Sequence, residues 1–389
     1  MSKPITTFED FIKRILKVVF WVVVLAVIIA VPGYYLLGVF FHFPLNIFAV
    51  AANKPQEILT LAQNLLNTEP TKTLFALIVF PGFSWVAVYG TIFMGWVERK
   101  FTAKIQLRTG PMYAAKLEGI GQNVADFLKL AFKEVIIPYG VDKATFVAVP
   151  LALMAVAGAL VALVPVSPTF YIANPPVGAV MVFAVLGFTP LIVLLAGWAS
   201  NSKYSFLGGL RALHQMVAYE IPLVLSLVGT VILSGSLNLQ GIVAAQSNVW
   251  YMVLQPLGAI VFFIGALAEV ERIPFDIPEA DAELVAGWQT EYSSMLYGTF
   301  QLTNFTRMYV MAGLFTTFFL GGWLGPAPIP PEAWFVLKVT AVSILMMLPR
   351  SIMPRIRIDT LLRAGWVRLL AIAFANIFLT MLIVSLGVR

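Results

Sequence analysis

The chain has 389 residues, of which 60% are hydrophobic and only 11% charged. Soluble domains carry about 25% charged residues, so this composition points to an integral membrane protein. There is no cysteine, and the two histidines, His42 and His214, stand in different segments. An ordinary iron–sulfur cluster, a bis-His haem or a zinc site therefore has no ligand set here, and in any redox role the electrons would travel in a partner.

A spanning helix needs about 20 mostly apolar residues. Candidates lie at 18–41, 74–97, 145–165, 177–199, 212–234, 250–268, 299–322, 333–349 and 364–387. The expected fold class is thus an all-α polytopic membrane protein with about nine transmembrane helices. The run at 18–41 is too long for a signal peptide and reads as a retained anchor. Residues 42–73 read as an external loop with a short helix around 55–67. The net charge of +6 is spread along one side of the membrane. Lys13, Arg99, Lys129, Arg211, Arg272, Arg307, Arg350 and Arg355 fall there with most other cations. Only Lys54, Lys72, Lys338 and Arg389 fall opposite. The positive-inside rule then puts the N-terminus in the cytoplasm and the C-terminus outside. Charge distributed in this way gives no reason to expect nucleic acid as a partner.

Three cytoplasmic loops exceed what a plain bundle needs. In 98–143, Ile120, Val124, Phe127, Leu128, Ala131 and Val135 recur at helical spacing, with Gln122, Asp126, Lys129 and Lys133 on the other face. Such a helix suits the membrane interface or a partner surface, or is a surface helix with snorkelling lysines. The segment 199–220 ends in Glu220, just inside the next span and beside Pro222, which is expected to kink the helix. A carboxylate within a span is a functional candidate by default; the alternative is a structural pair with Arg211 or with another chain. The segment 269–291 holds Glu269, Glu271, Asp276, Glu279, Asp281, Glu283 and Glu291 against one cation, Arg272. Pro274 and Pro278 break any helix through 273–278, and Glu279 and Glu283 are spaced to share a helix face. Clustered carboxylates exchange protons near neutral pH, or they form an acidic docking surface.

These segments resemble the H-type membrane subunits of respiratory complex I, in the NADH-quinone oxidoreductase family. The resemblance is carried by Glu-Arg-Lys at 98–100, Gln-Leu-Arg-Thr-Gly-Pro at 106–111 and Ala-Asp-Phe-Leu-Lys-Leu at 125–130. It continues in Gly-Trp-Ala-Ser-Asn-Ser-Lys-Tyr-Ser at 197–205 and Ala-Tyr-Glu at 218–220. Next come Arg-Ile-Pro-Phe-Asp-Ile-Pro-Glu at 272–279, Glu-Leu-Val-Ala-Gly at 283–287 and Glu-Tyr-Ser-Ser-Met at 291–295. Pro-Arg-Ile-Arg-Ile-Asp at 354–359 completes it. It runs from about residue 74 to the end. This divides the chain into an added anchor and external loop, 1–73, and an eight-helix domain, 74–389.

The resemblance implies a non-redox subunit of a proton-translocating quinone oxidoreductase in the plasma membrane. Its loops would close the membrane end of a quinone chamber. Quinone would be the substrate, with no covalently bound cofactor. Iron–sulfur clusters and flavin would sit in partner subunits of the peripheral arm, which also holds the headgroup site. Small membrane subunits leading to antiporter-like subunits, and membrane lipid, would be the other partners. Glu220, Glu269, Glu279, Asp281, Glu283 and Glu291 match the family's string of acidic groups. Arg99, Asp126, Lys129, Arg272, Arg350 and Arg355 match charged positions of the chamber. The chain departs from the family at Asn304, where a glutamate is usual, and at Glu271, where asparagine is usual, so Glu271 joins the proton-carrying set as a candidate replacement. The membrane subunit of an energy-converting hydrogenase and a stand-alone ion transporter are the alternative readings.

Overall fold

A computed structural model describes residues 93–114, 118–168, 171–278, 281–326 and 331–386. The expected helix at 18–41, the loop at 42–73, most of the span at 74–97 and Glu279 lie outside the described residues. Those residues contain helices and no strand, as a membrane interior demands: without water, every backbone polar group must be satisfied within its own helix.

The chain forms two compact units, Met1–Trp96 with Pro111–Asn123, and Val97–Gly110 with Val124–Arg389. In the first, Trp96 Nε1 donates to the Glu118 carbonyl at 3.0 Å. Gly119 follows at φ +78°, where a Cβ would stand 2.5 Å from the Pro111 carbonyl carbon. Only glycine fits both constraints.

The second unit holds most of the described helices. Helix α1 is Gly95–Ile105 and α2 is Gly121–Phe132. Among the described residues, five helices are long and apolar enough to cross a membrane: α3 Lys143–Leu163, α4 Gly178–Ala199, α5 Lys203–Ser234, and two near the C-terminus, Pro331–Ile352 and Ile358–Ser385. Between α5 and Pro331 lie α6, Pro256–Glu269, and α7, Ser294–Phe319. The last two are α8, Pro331–Ile352, and α9, Ile358–Ser385. The protein is thus a multi-pass membrane protein, as its hydropathy predicts. Helix α5 is the hub and packs on α4, α6 and α9. Its start is earlier than the predicted 212, and it continues through Pro222 without a break, because the surrounding helices hold its backbone in place.

Small residues set how closely α5 is approached. A Cβ on Gly208 would stand 2.6 Å from the Trp288 backbone nitrogen, and one on Gly197 of α4 would stand 2.5 Å from the Ser205 carbonyl oxygen. With lipid as apolar as leucine, such close approach is what favours helix association. Trp288 then fills a core with Phe146, Tyr292 and Phe300, where the Phe146 and Tyr292 rings stack at 4.0 Å. The end of the acidic loop is thereby anchored in the bundle.

The far end of α7 is closed by a cation. Lys338 of α8 is buried and donates to the carbonyls of Leu320 (2.6 Å), Gly322 (3.1 Å) and Leu324 (2.6 Å). Its ammonium also lies 4.6 Å from the centre of the Trp250 ring. A cation that charge alone assigns to the outer side is here part of the helix packing.

Replacing Gly208 with alanine presses a methyl group against backbone that cannot rotate away. Overpacking of this kind costs about 1–3 kcal/mol. The solubilised protein carrying Gly208→Ala should unfold at a lower temperature than wild type, while Gly158→Ala, where an added Cβ meets nothing within 4 Å, should not.

Candidate functional site

Glu98 lies immediately past the predicted span 74–97, on α1, and only 5% of its side chain is exposed. Arg272 donates to Glu98 Oε1 at 2.5 Å, and Arg350 from the end of α8 donates to the same oxygen. Arg272 also lies over the Phe305 ring, 5.3 Å from its centre. Beside this cluster the Ser351 hydroxyl donates to that of Thr102 at 3.2 Å. Burial pushes the Glu98 carboxyl up, but the Arg272 and Arg350 guanidinium groups outweigh it and hold the carboxyl below its ordinary value. In sequence the residue is visible only as part of a motif. No spacing rule connects it to arginines 174 and 252 positions away.

Two further pairs border this cluster. Arg99 reaches Asp126 of α2 at 2.7 Å, with Lys129 at 3.9 Å from the same carboxylate. Arg355 reaches Asp276 at 2.9 Å. Six charged positions expected to act together, Arg99, Asp126, Lys129, Arg272, Arg350 and Arg355, therefore all belong to ion pairs.

Helix α2 carries Asp126 toward the protein and leaves Val124, Phe127 and Leu128 exposed, at 39%, 48% and 47%. It ends at Phe132, short of the predicted Val135. There the Ser294 hydroxyl donates to the Lys133 carbonyl at 2.6 Å, and the Ile136 amide donates to the Ser293 hydroxyl at 3.0 Å. Side chains from the start of α7 thus replace the next helical turn.

The acidic segment is not served by Arg272 alone. Arg272 belongs to Glu98, while other arginines, distant in sequence, compensate the block. Glu269 pairs with Arg307 of α7 at 3.0 Å, Asp276 with Arg355, and Glu283 with Arg211 at 2.5 Å. The alternative of a Glu220–Arg211 pair does not form among the described residues, where Arg211 is paired with Glu283. Arg307 is not a surface cation but is buried within the bundle, only 2% of its side chain being exposed. Residues 270–278 are non-helical, as the two prolines require. Asp281–Leu284 forms a single helical turn; the expected shared face of Glu279 and Glu283 lies outside the described residues with Glu279. Glu271 is buried with φ +53°, and Glu291 is half-buried in the turn before α7.

Glu220 lies half-buried on α5, and its Oε1 is 3.3 Å from where a Cβ on Gly187 would stand. Glu220 of α5 and Glu269 of α6 stand on packed helices: Gln215 of α5 donates to the Ala268 carbonyl at 2.9 Å, and a Cβ on Gly265 would stand 3.0 Å from Leu223 Cβ. Of the acidic residues, Glu283 is exposed, Asp276 and Glu220 are half-buried, and Glu269 and Glu271 are buried. Asn304, half-buried on α7, adds a carbonyl but no titratable group. Among the described residues no cluster of His, Cys, Asp and Glu is arranged to hold a metal ion.

Residues 77–381 match the family described as NADH dehydrogenase. The chain is 48% identical over 305 residues to the H subunit of NADH-quinone oxidoreductase from Bacillus thuringiensis (strain Al Hakam), covering 77% of this chain and 91% of that one. The corresponding proteins of Bacillus cereus (strain AH187) and Bacillus anthracis (strain A0248) match to the same extent.

Breaking a buried ion pair by removing one member costs about 3–5 kcal/mol. Arg350 is half-exposed, so Glu98→Gln should lose roughly 3 kcal/mol at neutral pH, near the lower end of that range. Because the folded-state carboxyl is held low, this stabilisation is present above the ordinary carboxylate range and fades as pH falls through the depressed value. Thermal unfolding followed across pH should show that acid limb in wild type and a shallower one in Glu98→Gln. Arg355→Ala, at an exposed pair, should cost under about 1 kcal/mol.

Proposed function

Since the chain belongs to the NADH dehydrogenase family, and within it matches the H subunits of NADH-quinone oxidoreductases, we propose that it closes the membrane end of a quinone chamber and couples quinone reduction to proton movement. It is a membrane subunit of a quinone oxidoreductase and works as part of a multi-subunit complex. The names of the relatives favour this reading over the hydrogenase and the transporter. The resemblance from residue 74 onward and the family match at 77–381 support a family domain at 74–389 with 1–73 as an added anchor.

The quinone is the substrate, and the electrons reach it from iron–sulfur clusters and flavin in the peripheral arm. The exposed apolar face of α2 suits contact with lipid, an isoprenoid tail or that arm. Arg99, Asp126, Lys129, Arg272, Arg350 and Arg355 line the chamber and its approach, where fixed guanidinium groups stabilise charge developing on the headgroup. The protons then move through Glu291, Glu283, Asp281, Glu279, Glu271, Glu269 and Glu220 toward small membrane subunits and the antiporter-like ones beyond. The cytoplasmic side carries these loops, in the plasma membrane, with the N-terminus inside and the C-terminus outside. The observation that carries the reading is the burial of Glu269 and Glu271, with Glu220 half-buried on α5 while Glu283 is exposed.

The intact complex tests it. Arg272→Ala leaves Glu98 paired with Arg350, so assembly should survive. Loss of a charge-assisted contact of about 1.5–3 kcal/mol should lower quinone reductase activity by roughly tenfold to hundredfold, with reduction of a soluble artificial acceptor unchanged. Equal loss of both activities would mean an assembly defect and count against a chamber role. Glu220→Gln keeps shape and hydrogen bonding but cannot titrate. It should assemble and yet block or uncouple turnover; a variant that pumps as wild type removes Glu220 from the path.

A further inference from the structure

Glu220 and Glu269 stand on the packed helices α5 and α6, where Gln215 of α5 donates to the Ala268 carbonyl beside Glu269 at 2.9 Å. Arg307 donates from Nη2 to Glu269 Oε1 at 3.0 Å, and the same nitrogen donates to the Glu269 backbone carbonyl at the end of α6. Its Nε and Nη1 are buried with no hydrogen-bond partner among the described residues. Glu269 is therefore the acceptor that compensates Arg307 among those residues. Glu220, by contrast, has no hydrogen-bond or ion-pair partner among them, and its carboxylate lies against Gly187. Of the other charged groups on these segments, Arg272 is held by Glu98, and Glu271 is buried two residues beyond Glu269.

The two carboxylates are consequently unequal. A guanidinium does not lose its proton in a protein, so Arg307 is a permanent buried charge. Protonating Glu269 would leave that charge without compensation, whereas protonating Glu220 removes a charge that has no partner. Two carboxylates on packed helices with such different surroundings divide the roles of fixed anion and proton carrier. We propose that Arg307 is a positioning residue that pins Glu269 in its ionised form, so that the exchangeable proton of the pair resides on Glu220. The inference rests on the proton-path reading above and assigns which member of the pair carries the proton.

The test is the infrared difference spectrum of the whole complex, reconstituted in lipid, on reduction of its quinone. The wild type should show a protonated-carboxyl band that responds to quinone reduction. That band should fall to background in Glu220→Gln and persist in Arg307→Lys, which keeps the charge. Glu269→Gln alone would strand Arg307 and risks failing to assemble, so the double variant Arg307→Gln with Glu269→Gln replaces it, and there the band should also persist. Arg307→Gln alone should add a second carboxyl band, from Glu269 taking up a proton. A band that survives Glu220→Gln but vanishes in the double variant would overturn the assignment. A wild-type complex that pumps at full rate with no responsive carboxyl band would remove the proton-path reading itself, and the assignment with it.

Discussion

A buried carboxylate is stable only with partners, and Glu98 takes its partners from two segments far along the chain. Arg272 comes from the acidic loop and Arg350 from the end of α8. Taking such charges out of water costs several kcal/mol per ion unless geometry repays it. The cluster therefore forms only when α1, the loop after α6 and the end of α8 are all in register. The flanking pairs, Arg99–Asp126 and Arg355–Asp276, extend the same dependence to α2 and to the segment before α9. This surface of the unit is in this sense one electrostatic object, built from segments that hydrophobic packing alone would leave free to slide.

Below that surface the physics changes. Helices in lipid gain little from burying leucine against leucine, so contact is made by glycine and by polar atoms. A Cβ on Gly258 would stand 2.8 Å from the Asn376 side chain, and Asn376 in turn accepts from the Gly258 amide at 3.0 Å. Gln255 donates to the Thr380 hydroxyl at 2.8 Å alongside. Close backbones and short polar contacts fix α5, α6 and α9 together, and the carboxylate pair Glu220–Glu269 is positioned by that rigidity.

The spans are legible in the sequence because about 20 apolar residues leave a signal that needs no tertiary information. The predicted bounds of α3, α4 and α8 differ from the structure by a few residues only. Helix α5 reads too short because its first turns, from Lys203 to Arg211, carry two cations and a Gly-Gly pair; they are helical because they pack under Gly287 and Trp288. Individual charges are legible as candidates, but their partners are not. The acidic segment reads in sequence as seven carboxylates against one arginine, and folding brings in Arg211, Arg307 and Arg355 from elsewhere. Arg307 in particular looks like one more positive-inside cation until α7 is packed beside α6. Pairing across 38 or 72 positions has no local signature.

Lys338 shows the opposite lesson about charge in a membrane. An ammonium has three hydrogens, and here each is committed to a carbonyl at the end of α7, with the Trp250 ring beside it. Nothing remains with which it could greet water or hand on a proton. It behaves as a rivet: drawing it out would fray the last turn of α7 before it could conduct anything.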